Sequence, residues 1–314
     1  MDAQDKRLVD ALTDAIRECS DLIVREAGSA NVPANPLVAE PLPSLLDQCR
    51  LVVKETARQP EPVRTLHHLA CTGGTLIAKC IASMPNTQLL SEVEPHSPIP
   101  QTRRSKFAPT DVIGLLRNSS RGSDSELESK IFMAALEPLY EDCARKGLRL
   151  VMRDHAHSTY CTGPSVLESP NLRQLLSERY AVRSVVTVRH PLDSWLSLKH
   201  NEWVHFEPGT LDEYAARYLR FIADHEGLEI FRYEDFVDAP EQELEKICAA
   251  LDIPYREGFQ DLLPVHRFSG DSGRSSDFIG PRHRRTVPES VAEDARDSQS
   301  YKRICSRLGY DSDA

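Results

Sequence analysis

The run VRSVVTV at 182–188 is rich in β-branched residues and flanked by turn-forming or polar residues. A strand with so little polar alternation needs cover on both faces, which a parallel sheet receives from its crossover helices. The rest of the chain repeats that type. RTLHHLA (64–70), TQLLS (87–91), LRLVMRD (148–154) and LEIFRY (228–233) read as further strands. Helical stretches separate them: TLIAKCIASM (75–84), a short one from Val112 to Arg117, a long one from about Glu126 to Arg145, and others from Leu192, from Leu211 to Ala223 and from Glu241 to Leu251. Pro191 stands near the first turn of the fourth, where proline is tolerated. Strands alternating with helices predict an α/β protein: three α/β/α layers around a central, mostly parallel sheet.

Residues 1–60 read as a helical extension and 61–314 as the α/β domain. Leu8, Leu12, Ile16 and Cys19 recur at helical spacing. Gly28 to Pro43 is a proline-rich linker, and Ser44 caps a second helix to about Arg58. The formal net charge is -10, which disfavours a general nucleic-acid binder. None of the eight cysteines forms a CxxC pair or shows zinc-ligand spacing. No metal is expected. MDAQDKRLVD has no apolar h-region, and no run approaches the ~20 residues of a membrane span. The expectation is a cytoplasmic protein with reduced thiols and no membrane or nucleic-acid partner.

Three segments carry chemistry. In LHHLACTGGTLIAK a small-residue turn links a strand to a helix, so the backbone N–H groups around Cys71, Thr72, Gly73, Gly74, Thr75 and Leu76 can cradle an anion. The turn lacks the GK[ST] ending of a Walker A loop. In VVTVRHPLDSWLSLKH, Arg189 ends a strand at the carboxyl edge of the sheet and Ser197 lies about two helical turns on, able to clamp a phosphate between fork and hydroxyl. In LVMRDHAHSTY, Arg153, Asp154, His155 and His157 close a strand. Of His67 and His68, the inward-facing one reads as core. Lys79 reads as a solvated surface lysine, and Trp195, Trp203, His205 and Phe206 as core or pocket lining. Late in the acidic chain, RFSGDSGRSSDFIGPRHRR (267–285) gathers five arginines in a Gly/Ser-rich loop.

The order and separation of these segments resemble the PAPS-dependent sulfotransferase superfamily, over roughly residues 63–310. CTGGT (71–75) occupies the place of that family's 5′-phosphosulfate loop, and Arg189 and Ser197 match its 3′-phosphate pair. FRYEDF (231–236) and RICSRLGY (303–310) resemble stretches near the family's C-terminal end. The resemblance implies a P-loop-like phosphosulfate loop, PAPS as donor, PAP as product and a small-molecule or glycan acceptor. It departs from the pattern at Cys71, where the family usually carries a cation. Arg153-Asp154-His155 stands where cytosolic members have Lys-x-His. The resemblance therefore gives His155 the part of base and Arg153 that of charge stabiliser, roles that suit a residue titrating near neutrality and a permanent cation. Glu92 in LLSEVEP is a rival base, because members acting on protein tyrosine carry a glutamate there. Ser272, Gly273 and Arg274 fall in the late Arg/Gly loop that folds over the nucleotide. A homodimer is possible. Two other readings stay open: a P-loop-type small-molecule kinase, and a non-catalytic nucleotide-binding protein.

Overall fold

A computed structural model describes residues 60–97, 111–117, 119–266, 279–281 and 284–313, with a few positions between 14 and 48. The chain divides into two compact units, Met1–Gln59 and Pro60–Ala314. In the first, residues 16–18 and 45–48 are helical, and the Ser44 hydroxyl receives the Asp47 N–H at 3.1 Å, as a helix cap does. Leu8, Leu12, Cys19, the linker at 28–43 and Arg58 lie outside the described residues.

The second unit is built on a five-stranded sheet. Strand β1 (Val63–His68) is buried along its whole length. It is followed by α1 (Gly74–Ala82), β2 (Thr87–Val93), α2 (Val112–Arg117), α3 (Ser125–Lys146) and β3 (Arg149–Asp154). Then come α4 (Ala156–Tyr160), a two-residue β4 (Thr162–Gly163), α5 (Leu172–Ser177), β5 (Val182–Val188) and α6 (Pro191–His200). The chain continues through β6 (His205–Phe206), α7 (Leu211–Asp224), β7 (Glu229–Arg232), α8 (Tyr233–Asp238) and α9 (Pro240–Leu251), and closes with α10 (Glu289–Asp297) and α11 (Gln299–Leu308). The sheet order is β2-β3-β1-β5-β7, and every pairing is parallel. The chain switches sides of the sheet between β1 and β5, and the carboxyl ends of two such strands open a crevice.

Side chains alternate across the sheet with period two, and the core divides accordingly. Leu66, Val151 and Val185 pack with α1, α8 and α9 on one face. Val186 and Val188 pack with α6, α7 and α11 on the other, and there Val63, Leu150 and Met152 meet α3 and α5. Arg64 is a buried charge in the central strand. Its guanidinium donates to Leu251 O at 2.7 Å and Asp252 O at 3.0 Å, carbonyls at the end of α9, and pairs with Glu61 at 2.7 Å. A cation at a helix C-terminus answers both the unpaired carbonyls and the dipole. The helices α4, α5, α8, α10 and α11 have no counterpart in the sequence reading.

Candidate active site

The turn after β1 carries two left-handed residues, Cys71 at φ 65° and Gly73 at φ 88°. Thr72 is fully buried and its hydroxyl donates to Leu69 O at 2.7 Å. Leu76 belongs to the core. Gly73 stands at the N-cap of α1 and brings no capping side chain. What the loop offers an anion is therefore backbone. The glycines are dictated by the protein's own rings. A Cβ on Gly73 would lie 2.2 Å from the Tyr233 ring, and one on Gly74 2.2 Å from the His68 imidazole. Burial holds His68 down at about 3, with Arg153 adding to the effect, so it is neutral. Burial pushes the Cys71 thiol up to about 11, so it gives the loop no charge of either sign.

Arg189, at the end of β5, reaches across the switch point. Its guanidinium donates to Cys71 O at 3.2 Å and lies over the Tyr233 ring, 5.0 Å from the centroid. Tyr233 thus separates Gly73 from Arg189 and holds both. On α6 the Ser197 hydroxyl is half-buried and donates to Asp193 O at 2.9 Å, which leaves its lone pairs free to accept. The Asp193 carboxylate receives Arg284 at 2.7 Å, bringing the C-terminal end of the arginine-rich stretch onto the same helix.

The third group comes from β2 and β3. Register shifts between Leu90 and Val93, and Glu92 adopts φ 62°. In a regular strand Ser91 and Glu92 would face opposite sides of the sheet. The irregularity turns both toward Arg153. The Arg153 guanidinium, 1 % exposed, donates to Ser91 Oγ at 2.9 Å, to Thr75 Oγ1 at 2.7 Å and to Glu92 Oε1. The other Glu92 oxygen lies 3.0 Å from His155 Nε2. His155 and Glu92 thus stand side by side, and Arg153 ties Glu92 to the start of α1.

A sulfotransferase family model matches residues 68–257, more than half of the chain, and the match spans all three groups. The chain belongs to the sulfotransferase family. Among solved structures, the sulfotransferase domain of the curacin biosynthetic pathway is 15% identical with a TM-score of 0.46, covering 81% of this chain and 99% of that one. A sulfotransferase of Alicyclobacillus acidocaldarius is 16% identical with a TM-score of 0.42, covering 80% and 97%. A mouse sulfotransferase solved in complex with PAP is 14% identical with a TM-score of 0.38, covering 78% and 88%. No curated protein sequence matches.

Other positions in this sulfotransferase sort clearly. Lys79 is half-buried rather than solvated. His67 and His68 are both buried, on opposite faces of β1, so the sequence reading found one core histidine where there are two. Trp195 and Phe206 are core, and His205 is exposed. Ser272, Gly273 and Arg274 lie outside the described residues. Glu234, Tyr310 and His190 were missed as supports of the site. The Glu234 carboxylate takes the His190 N–H at 3.0 Å and the Tyr310 O–H at 2.7 Å. The stretches FRYEDF and RICSRLGY carried that signal without showing what it was for. No helix among the described residues is long and apolar enough to cross a membrane.

Proposed function

We propose that this sulfotransferase uses PAPS as donor and sulfates a hydroxyl or amine of a small-molecule or glycan acceptor, with His155 as base, Glu92 as its partner and Arg153 as the cation at the reacting sulfur. The Arg153–Glu92–His155 chain ending on Thr75 carries the reading, because it links proton removal to the phosphosulfate loop. With Nε2–H given to Glu92, the imidazole has its Nδ1 lone pair available for the acceptor proton. The acceptor atom attacks sulfur and the bond from sulfur to the bridging oxygen breaks. The electron pair leaves on the 5′-phosphate of PAP, and the proton moves to His155. Glu92 then faces an imidazolium and stabilises it, as the carboxylate of a catalytic triad does. Arg153 meets the charge that develops on the sulfuryl oxygens and the leaving phosphate. Its contact with Thr75 supports it as the replacement for the cation absent at Cys71, delivered from β3 rather than from the loop. Arg189 and Ser197 hold the 3′-phosphate in this reading, with Arg274 in the loop that closes on the nucleotide.

A bound ligand raises the melting temperature by mass action. Thermal shifts with PAP, PAPS, 5′-AMP and ATP therefore test the donor. PAP should stabilise strongly and 5′-AMP weakly. Equal shifts remove the 3′-phosphate site, and magnesium-dependent turnover of ATP would favour a kinase. Transfer of labelled sulfate from PAPS to metabolite and glycan pools then identifies the acceptor class.

A further inference from the structure

Beneath the active-site end of β3, on the face away from Arg153, three metal-binding side chains converge. His67 comes from β1, Asp154 from the last position of β3 and His225 from the residue that caps α7. All three are at most 2 % exposed, and their ligating atoms lie within 4.8 Å of one another. Strand alternation aims Asp154 here while its neighbour Arg153 serves the other face.

The hydrogen bonds around the cluster orient it. His225 Nδ1–H donates to Phe221 O at 2.8 Å, so the lone pair of that ring is on Nε2, and Nε2 is buried with no partner. Asp154 Oδ1 is likewise buried without a hydrogen bond, the adjacent His155 N–H being given to Val93 O at 3.2 Å. His67 Nε2 lies 2.9 Å from Thr65 Oγ1, which in turn pairs with Ser184 Oγ at 2.7 Å. His67 Nδ1 and Asp154 Oδ2, 2.6 Å apart, share a hydrogen bond whose proton a cation held between the three side chains would replace, leaving Nε2–H to donate to Thr65 Oγ1. A buried His225 Nε2 and a buried Asp154 oxygen without partners, with a second imidazole on the same carboxylate, make up the donor set of a metal ion. The second ring nitrogen of each histidine is anchored as that of a metal ligand usually is.

We propose that His67, Asp154 and His225 form a buried site for a divalent transition-metal ion such as Zn2+. Two imidazoles and one carboxylate suit that class, and Zn–N or Zn–O bonds of about 2.0–2.2 Å require adjustments of only about 1 Å among these atoms. A water completes four-coordination. The ion cross-links β1, β3 and the end of α7, and so fixes the strand end from which Arg153 and His155 project. It touches neither donor nor acceptor. Ligands this far apart in the chain leave no spacing motif, which is why the sequence analysis anticipates no metal.

The test uses untagged full-length protein expressed in zinc-supplemented medium. Elemental analysis after gel filtration should find about one zinc per chain. Removing it with a chelator should lower the melting temperature by several degrees, and Zn2+ should restore it. Co2+ added to the apoprotein should give the visible absorption bands of a low-symmetry site. His225→Ala should lose the metal while PAP still raises its melting temperature. Trace zinc in the wild type together with no thermal response to Zn2+ overturns the site, as does full zinc retention in His225→Ala. Should that variant not fold, the wild-type zinc content and Co2+ spectrum decide the matter alone.

Discussion

Glu92 is asked to do two things by one carboxylate: neutralise Arg153 with one oxygen and orient His155 with the other. Its positive φ carries strain of order 1 kcal/mol, which the two partners offset. Glu92→Gln keeps the shape but turns one acceptor oxygen into an NH2 donor and removes the charge. We expect kcat to fall about a hundredfold or more, with PAP affinity within a few-fold of wild type. His155→Ala should abolish nearly all turnover and leave PAP binding intact. A dead Glu92→Gln beside an active His155→Ala would make Glu92 the base. Arg189 has a different signature. If Arg189 holds the 3′-phosphate as proposed, Arg189→Ala should weaken PAP binding by about 2–3 kcal/mol, some thirty- to hundredfold. Its protein contacts are a single long bond to Cys71 O and the Tyr233 ring, so stability should change by no more than about 1 kcal/mol. Unchanged PAP affinity, measured by calorimetry, would make Arg189 a structural arginine.

The main-sheet strands and the helices between them from α1 to α9 that exceed eight residues were legible because their causes are local. VRSVVTV occupies Val182–Val188 as expected, and the short helix at Val112–Arg117 is also found. What the sequence hid is how elements meet at their ends. LLSEVEP shows that a glutamate ends a strand, but not that the strand slips by a residue and turns Ser91 and Glu92 to the same arginine. The sequence offers His155 and Glu92 as two candidate bases without showing that their side chains come within 3.0 Å of each other. CTGG shows a tight turn, but not that Tyr233, more than a hundred residues on, packs into the space above Gly73. That packing makes the turn testable as an element. Gly73→Ala sets a Cβ against the Tyr233 ring and places alanine at φ 88°, with strain and overlap together costing about 2–4 kcal/mol. The melting temperature should fall by several degrees, and PAP binding should weaken further than in Arg189→Ala, since the ring displaced by the Cβ also supports Arg189. A variant of wild-type stability would show that Tyr233 is free to move aside. Gly147, also left-handed but with open space around it, provides the control: Gly147→Ala tests backbone strain alone.

Across the α/β unit, the ends of distant segments are tied to the carboxyl edge of the sheet. Tyr310, just past α11, donates to Glu234 at the start of α8, and Glu234 takes the N–H of His190, the residue after Arg189. The His190 ring closes the circuit: Nδ1 caps α6 by accepting from Leu192 N at 3.2 Å, and Nε2–H donates to Asp311 O at 3.0 Å. Arg232 lies over the Tyr310 ring, 4.1 Å from its centroid. Residues 190, 234 and 310 are thus one polar cluster, and it fixes the backbone from which Arg189 extends. Tyr310→Phe tests whether this cluster serves binding or only folding. The change keeps the ring and its contact with Arg232 but leaves Glu234 Oε2 without its phenol partner. The loss of one hydrogen bond to a carboxylate costs about 1–3 kcal/mol, and for a unit of this size each kcal/mol lowers the melting temperature by about 2–4 °C. If the cluster positions Arg189, PAP affinity should fall several-fold in the same variant, and adding Arg189→Ala should then cost less than it does in the wild type, because the two changes act on one interaction. A lowered melting temperature with wild-type PAP affinity and full additivity would mean that the cluster holds the fold together and leaves Arg189 to position itself.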